Sequence, residues 1–169
     1  MDSLRLVIPS EEYFASYLEM IEDLSAEHLD IGEPHIDILQ KKDFRQYEQK
    51  VKDDSLGIGL PQDWVPATLF WAIVGRTVVG RIQLRHRLPA YGGHIGYAVA
   101  SAQRGKGYAK QMLALCLPEA RRLGIAQVHL TCDKSNVASQ AVMRANGAQL
   151  LREFVTPAGT ERLEFCIAM

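Results

Sequence analysis

Cysteine is scarce in this sequence: Cys116, Cys132 and Cys166 are the whole supply, and no two of them form a CxxC pair. An odd number of thiols set inside apolar segments excludes a disulfide framework, and such thiols pack as small hydrophobes. They suit a reducing compartment, so a cytoplasmic protein is expected. The five histidines, His28, His35, His86, His94 and His129, never fall into HExxH or a similar ligand spacing, and no metal site is predicted. Charge of either sign is in no excess: 19 Lys and Arg against 20 Asp and Glu leave a net charge of -1. That excludes a field able to hold nucleic acid or an anionic membrane, so any anion must be met locally. No window approaches the roughly 18 apolar residues of a membrane span. Neither a P-loop, GxxxxGK followed by Ser or Thr, nor a GxGxxG fingerprint with a downstream acid is present.

The composition is ordinary for a globular protein, with 47% hydrophobic and 23% charged residues in 169, and one domain spanning residues 1–169 is expected. "LRLVI" (Leu4 to Ile8) reads as a short strand, and Ser10 ahead of Glu12 can cap a helix whose apolar positions Phe14, Tyr17, Leu18, Ile21 and Leu24 recur at three and four. Ile36, Leu39, Phe44, Tyr47 and Val51 predict a second helix, closed by Gly57, Gly59 and Pro61. "ATLFWAIV" and "TVVGRIQL", joined by Gly75 and Arg76, predict a hairpin, and "HIGYAV" (His94 to Val99) a further strand. Helices are expected from about Ala109 to Leu123, kinked at Pro118, and from Asn136 to Gly147, with the strand "AQVHLTC" between them. "QLLREFV" and "RLEFCIA" close the chain as a hairpin. Strands and helices in this order predict an α/β fold: a mixed, mostly antiparallel sheet of about seven strands with helices on both faces.

The join between the strand at Val99 and the helix near Ala109 carries the chemistry. There Arg104, Gly105, Lys106 and Gly107 stand where a helix N-terminus exposes unpaired N–H groups, and glycine allows a bulky anion to approach the backbone. An arginine fork beside such a seat can pair two phosphate oxygens. The turn predicts a diphosphate site.

Arg104, Gly107 and Ala109 spell RxxGxA, and Asn136 and Gly147 stand at the interval of NxxAxxxYxxxGF one strand later. In both features the chain resembles the GNAT N-acetyltransferase superfamily, most of all its small bacterial members of unassigned substrate. The resemblance implies the GNAT fold and the direct transfer of an acetyl group from acetyl-CoA to a primary amine of a small molecule or peptide in a ternary complex. It implies that the pantetheine arm runs along Tyr97 to Ala100, with the Val99 N–H on the thioester carbonyl. The diphosphate would take Arg104, Gly105, Lys106, Gly107, Tyr108 and Ala109. Asn136 and Ser139 would border the arm, and a homodimer would form through the C-terminal hairpin edge. The alternatives are an acyl-CoA-binding regulatory module without turnover, and a transferase using another acyl donor or a hydroxyl acceptor.

The sequence departs from the family pattern at three positions of the second motif. Ser139 stands for Ala, Ala148 for Phe, and Met143 for the Tyr that often protonates the leaving thiolate; Met143→Tyr is therefore expected not to reduce turnover. On the strand before the turn, Gly93 and Ile95 occupy positions where many relatives carry a Glu or His base. Tyr97, His86, His94 and Asp133 remain as proton-transfer candidates. Against these stand plainer roles: packing for Tyr97 and His94, a solvated basic edge for His86 and a turn for Asp133. Cys132 has no His beside it to make a nucleophile. The segment Ser55 to Ala67 carries Asp63 and Trp64, an ammonium partner and stacking surface for the acceptor or, for Trp64, a core plug. Acids of the first helix, among them Asp23 and Glu27, are cation attractors or merely a solvated face.

Overall fold

The computed structural model describes residues 2–27 and 32–169; His28 lies outside them. Strand β1 (Arg5–Val7) leads to helix α1 (Glu11–Ala26), whose N–H at Glu12 is accepted by the Ser10 hydroxyl. The predicted second helix is in fact two, α2 (Ile36–Gln40) and α3 (Phe44–Leu56). Lys42 takes a left-handed backbone with φ 54°, and the Asp43 carboxylate accepts from Gln46 N–H at 3.0 Å. A new cap therefore starts a new helix where the apolar spacing alone suggested continuation. Gly57, with φ 75°, ends α3.

Strands β2 (Ala67–Val74), β3 (Thr77–Arg85) and β4 (Ile95–Val99) follow. Next come a 3₁₀ turn (Ser101–Gln103), α4 (Tyr108–Arg122), β5 (Gln127–Asp133), α5 (Val137–Ala145), β6 (Gln149–Val155) and β7 (Glu161–Ala168). Pro118 lies inside α4, which continues past it. The strands form two sheets rather than one mixed sheet, ordered β1-β2-β3-β4 and β5-β7-β6, and every pairing is antiparallel. On β2, Leu69, Trp71 and Ile73 face α1 to α3, whereas Ala72, with Ile82 and Leu84 of β3, packs against α4. Helices thus cover both faces, as alternation along each strand requires.

The two sheets are hydrogen-bonded to each other at His94 and His129. His94 donates its N–H to the His129 carbonyl at 2.7 Å, and the His129 N–H returns to His94 Nδ1 at 3.0 Å. The imidazole nitrogen thus takes the place of a ladder carbonyl. Beyond it β4 and β5 share no ladder, so β4 is a sheet edge facing a cleft.

His94 is 6% exposed, and burial, followed by the positive charges of His129 and Arg85, holds its pKa below the ordinary 6.5. The unfolded chain then binds more protons than the folded one below about pH 6.5, so this contribution is complete above that pH and is lost as pH falls. His35 works in the opposite direction: the Asp54 carboxylate at 2.6 Å raises its pKa, and its contribution fades as pH rises. A His94→Asn variant keeps an acceptor and removes the titration. Its melting temperature is expected to fall less steeply than that of the parent between about pH 7 and about pH 5. Parallel slopes would assign the acid sensitivity elsewhere.

Candidate active site

The cleft begins with a hydrogen-bond alternation. Arg85 N–H bonds the His94 carbonyl at 2.7 Å, and Ala100 N–H bonds Val79 O at 2.9 Å. In an antiparallel ladder the bonded residues recur at every second position, which gives Ala98 and Gly96 to β3 as well. The N–H groups of Tyr97 and Val99 therefore point away from β3, out of the sheet edge and into the cleft. Two free donors spaced along an extended strand can bind an amide-bearing chain as a further strand would.

This edge forms one wall of a cavity of about 610 Å³. Tyr97 and Val99 line it from β4, and Arg104, Gly105 and Gly107 from the turn. Tyr108 and Ala109 line it from the start of α4, and Asn136 and Ser139 from the opposite side. Gly105 and Gly107 have φ of 76° and 79°, and a Cβ on either would meet nothing within 4 Å. The backbone thus presents open, left-handed positions directly ahead of a helix N-terminus. Asn136 caps α5, its Oδ1 accepting from Ser139 N–H at 3.0 Å.

Three of the residues expected at this site do not border its cavity. Ala100 is buried, and its N–H is spent on Val79. Lys106 turns aside to donate to Gln103 Oε1 at 2.8 Å. His86, beyond the end of β3, bonds Thr68 Oγ1 at 2.8 Å, borders neither large cavity, and has its pKa lowered by burial. Met143 is 3% exposed within the core and does not line the cleft, so its position in the family motif is a packing position in this chain. Asp133 shapes the turn through its carbonyl, which accepts from Asn136 N–H. Cys132 is buried, and burial raises its thiol pKa, which suits packing better than nucleophilic attack.

The turn is held from the side by α1. Ser101 donates its N–H to Asp23 Oδ2 at 2.9 Å and its hydroxyl to Glu27 Oε1 at 2.5 Å, and Arg104 Nη2 donates to Glu27 Oε2 at 2.8 Å. Bonds from Ser101 first, and then the Arg104 charge, hold both carboxylates below their ordinary range. Two acids of the first helix thus fasten the glycine turn. Tyr97, across the cleft, donates its hydroxyl to Ser139 O at 3.5 Å, and burial raises its pKa, so it stays a protonated phenol at neutral pH.

A second cavity, of about 520 Å³, opens on the α1 side of β3. Asp63 and Trp64 stand on its wall, and Trp64 is 49% exposed, a rim residue rather than a core plug. Glu33 reaches the same cavity with its carboxylate already engaged: it accepts from Tyr17 OH at 2.6 Å, Tyr47 OH at 2.9 Å and His35 N–H at 3.0 Å, and Arg81 stands 3.7 Å away. Burial drives both tyrosine pKa values far up. Sequence reasoning missed Glu33, Arg81, Gln83 and Arg85. For the last three a signal existed: in "RIQLR" polar residues alternate with Ile82 and Leu84, marking one polar face at the end of an otherwise apolar strand.

A donor-bearing strand edge that runs into a glycine turn at a helix start, between two diverging antiparallel sheets, has the architecture of an α/β acyltransferase. The chain belongs to the GNAT acetyltransferase family, whose acetyltransferase (GNAT) domain profile matches residues 6–149. A search of curated proteins found no match. Among solved structures, the chain is similar to the Microcin C7 self immunity acetyltransferase MccE, crystallised with acetyl-CoA and AMP, at 13% identity and TM-score 0.73, with 100% of this chain and 94% of that one covered. It is also similar to a ribosomal-protein-alanine N-acetyltransferase from Brucella melitensis, at 17% identity and TM-score 0.66, with 99% of each chain covered. The aminoglycoside enzyme AAC(6')-Ib, in complex with ribostamycin and coenzyme A, follows at 16% identity and TM-score 0.68, covering 99% and 94%. At these identities the likeness is one of fold. Among the described residues, no cluster of three His, Cys, Asp or Glu could hold a metal ion, and no helix is long and apolar enough to cross a membrane.

Proposed function

We propose that this protein is an N-acetyltransferase that moves an acetyl group from acetyl-CoA directly to a primary amine. One observation carries the reading: the outward N–H groups of Tyr97 and Val99 share a cavity with the glycine turn at Arg104 to Gly107. The strand edge suits the amides of a pantetheine arm, with the Val99 N–H on the thioester carbonyl where negative charge develops in the transition state. The open turn and helix N-terminus suit a diphosphate, with Arg104 redistributing its fork between Glu27 and the phosphates. The acceptor enters from the second cavity. Attack of the amine nitrogen on the acetyl carbon forms the amide and expels the thiolate of coenzyme A. The amine proton leaves to water, because no carboxylate or imidazole lines the first cavity among the described residues.

Tyr97 takes the proton-donor role that the family pattern assigns to the position of Met143. Its phenol lies on the cleft wall and stays protonated at neutral pH. Tyr97→Phe is expected to lower kcat by about 10²-fold, the lower range for losing a general acid; an unchanged kcat would remove the role. Titration with acetyl-CoA by calorimetry, followed by thiol release against a panel of primary amines, tests the whole reading. Binding with release supports it, and absence of binding overturns it. A second reading, an acyl-CoA-binding module without turnover, is favoured by that same lack of a carboxylate or imidazole in the first cavity, and binding without release on any amine would select it.

A further inference from the structure

We propose that the acceptor is an amino carboxylate, whose carboxylate is held by Arg85 and Gln83 in the second cavity while its amine reaches the acetyl group from there; this rests on the acetyltransferase reading above. The proposal begins with the polar face of β3. Arg81, Gln83 and Arg85 follow one another at every second residue and face α1 rather than α4. Their surroundings differ. The charge of Arg81 is met by Glu33 at 3.7 Å. Arg85, half-buried in the cavity wall, donates from Nη1 to the Gly93 carbonyl at 2.9 Å, and among the described residues no carboxylate forms an ion pair with it. Burial, and the like charge of Arg81, lower its pKa, the mark of a partly desolvated cation facing another cation rather than an anion. Such a group gains most from an incoming anion. A guanidinium fork matches the two oxygens of a carboxylate, and the Gln83 carboxamide lines the same cavity one side chain further along.

Between Arg85 and the cofactor cleft lies a strand position without a side chain. Gly96 of β4 is the register partner of Gln83, and a Cβ placed on it would meet only Arg85 Nη1, at 4.0 Å. Ala98, two residues further on the same face, already lines the first cavity. The bare backbone at Gly96 thus stands between Gln83 of the second cavity and Ala98 of the first, about one two-residue strand step of roughly 7 Å. A carboxylate on Arg85 places the reacting amine several bonds away, as in the ω-amino group of a diamino acid.

The test compares matched acceptors that differ only in the carboxylate: L-lysine with 1,5-diaminopentane, L-ornithine with 1,4-diaminobutane, and 6-aminohexanoate with pentylamine. The carboxylate member of each pair is expected to be preferred at least about tenfold in kcat/KM, chiefly through KM, the loss typical of one charged hydrogen bond. In Arg85→Ala that ratio is expected to collapse towards one, and Arg85→Lys is expected to restore part of it. Equal use of both members, or a preference that survives Arg85→Ala, overturns the carboxylate site and leaves the acetyltransferase reading standing. If acetyl-CoA binds and no amine is acetylated, the transferase reading fails. The carboxylate site is then judged by thermal shift with the same amino carboxylates: an Arg85-dependent rise in melting temperature sustains it, and no rise for any of them overturns it.

Discussion

A Gly107→Trp protein is expected to fold and to lose acetyl-CoA binding by at least about 10³-fold in a calorimetric titration, close to the whole contribution of a diphosphate seat. The two parts of this expectation have separate causes. Gly107 has φ 79°, so any side chain there strains the backbone by on the order of 1–2 kcal/mol. For a chain of this length that lowers the melting temperature by roughly 2–8 °C. Among the described residues nothing stands within 4 Å of a Cβ at this position, and Gly107 lines the open cavity, so an indole is expected to enter the cleft rather than the core and the fold to survive. The same open space is the proposed place of the phosphates, and the indole fills it. Gly107→Ala separates the causes, because it carries the strain without the bulk. Its melting temperature should match that of the Trp variant, while its affinity should stay within about tenfold of the parent. If Gly107→Trp bound acetyl-CoA in the micromolar range, the turn would not be the diphosphate seat.

The second large effect is one of stability. Gly93→Ala is expected to destabilise the protein by roughly 3 kcal/mol, the upper range for overpacking a rigid site. That corresponds to a fall of roughly 6–12 °C in melting temperature. A Cβ at Gly93 would stand 2.5 Å from the His129 carbonyl oxygen and 2.8 Å from Leu130 Cα. Both are backbone atoms of β5 and have no rotamer into which to move. The strands would have to part where His94 and His129 exchange their two hydrogen bonds. Acetyl-CoA affinity should fall with stability, because the β4 edge is positioned from that junction. A melting temperature within about 2 °C of the parent would show that the junction yields. Gly80, where a Cβ would meet Ala98 O at 2.7 Å, is a second close approach; the side chain there that must move is the flexible Met112.

The sequence carried more of the first cavity than of the second, for reasons visible at individual residues. Arg104, Gly105, Gly107 and Ala109 lie close together in the chain, and the diphosphate seat proposed for them depends on a local strand-to-helix turn, so their spacing alone exposes them. Asn136 and Ser139 are legible in the same way, since capping acts over three residues. Glu33, Asp63 with Trp64, and Arg85 come from three segments whose proximity depends on how α1, α2 and the loop before β2 fold over β3. No local spacing records that meeting. The division of labour among the acids of α1 was equally hidden: Asp23 and Glu27 differ from their neighbours only in facing Ser101 and Arg104, more than seventy residues away.

The splitting of one expected helix into α2 and α3 had a local cause that apolar spacing overlooks. Asp43 competes for the backbone N–H groups and starts a fresh cap, which outweighs an uninterrupted hydrophobic pattern. The separation of the strands into two sheets had no local cause at all. It shows at His94, where an imidazole nitrogen takes the place of a carbonyl in one of the two hydrogen bonds to His129, and β4 and β5 form no ladder among the described residues.

By itself, then, the sequence determined the order and type of the elements, the glycine turn and the caps, because these depend on interactions between residues a few positions apart. Only the tertiary structure decided which donors of β4 are free and that Arg104 rests on Glu27. Only it, too, turned Met143 into the core and brought Arg85 beside the bare backbone at Gly96. Each of these is set by long-range packing of strands and helices, where alternation fixes the face a residue occupies but not what stands opposite it.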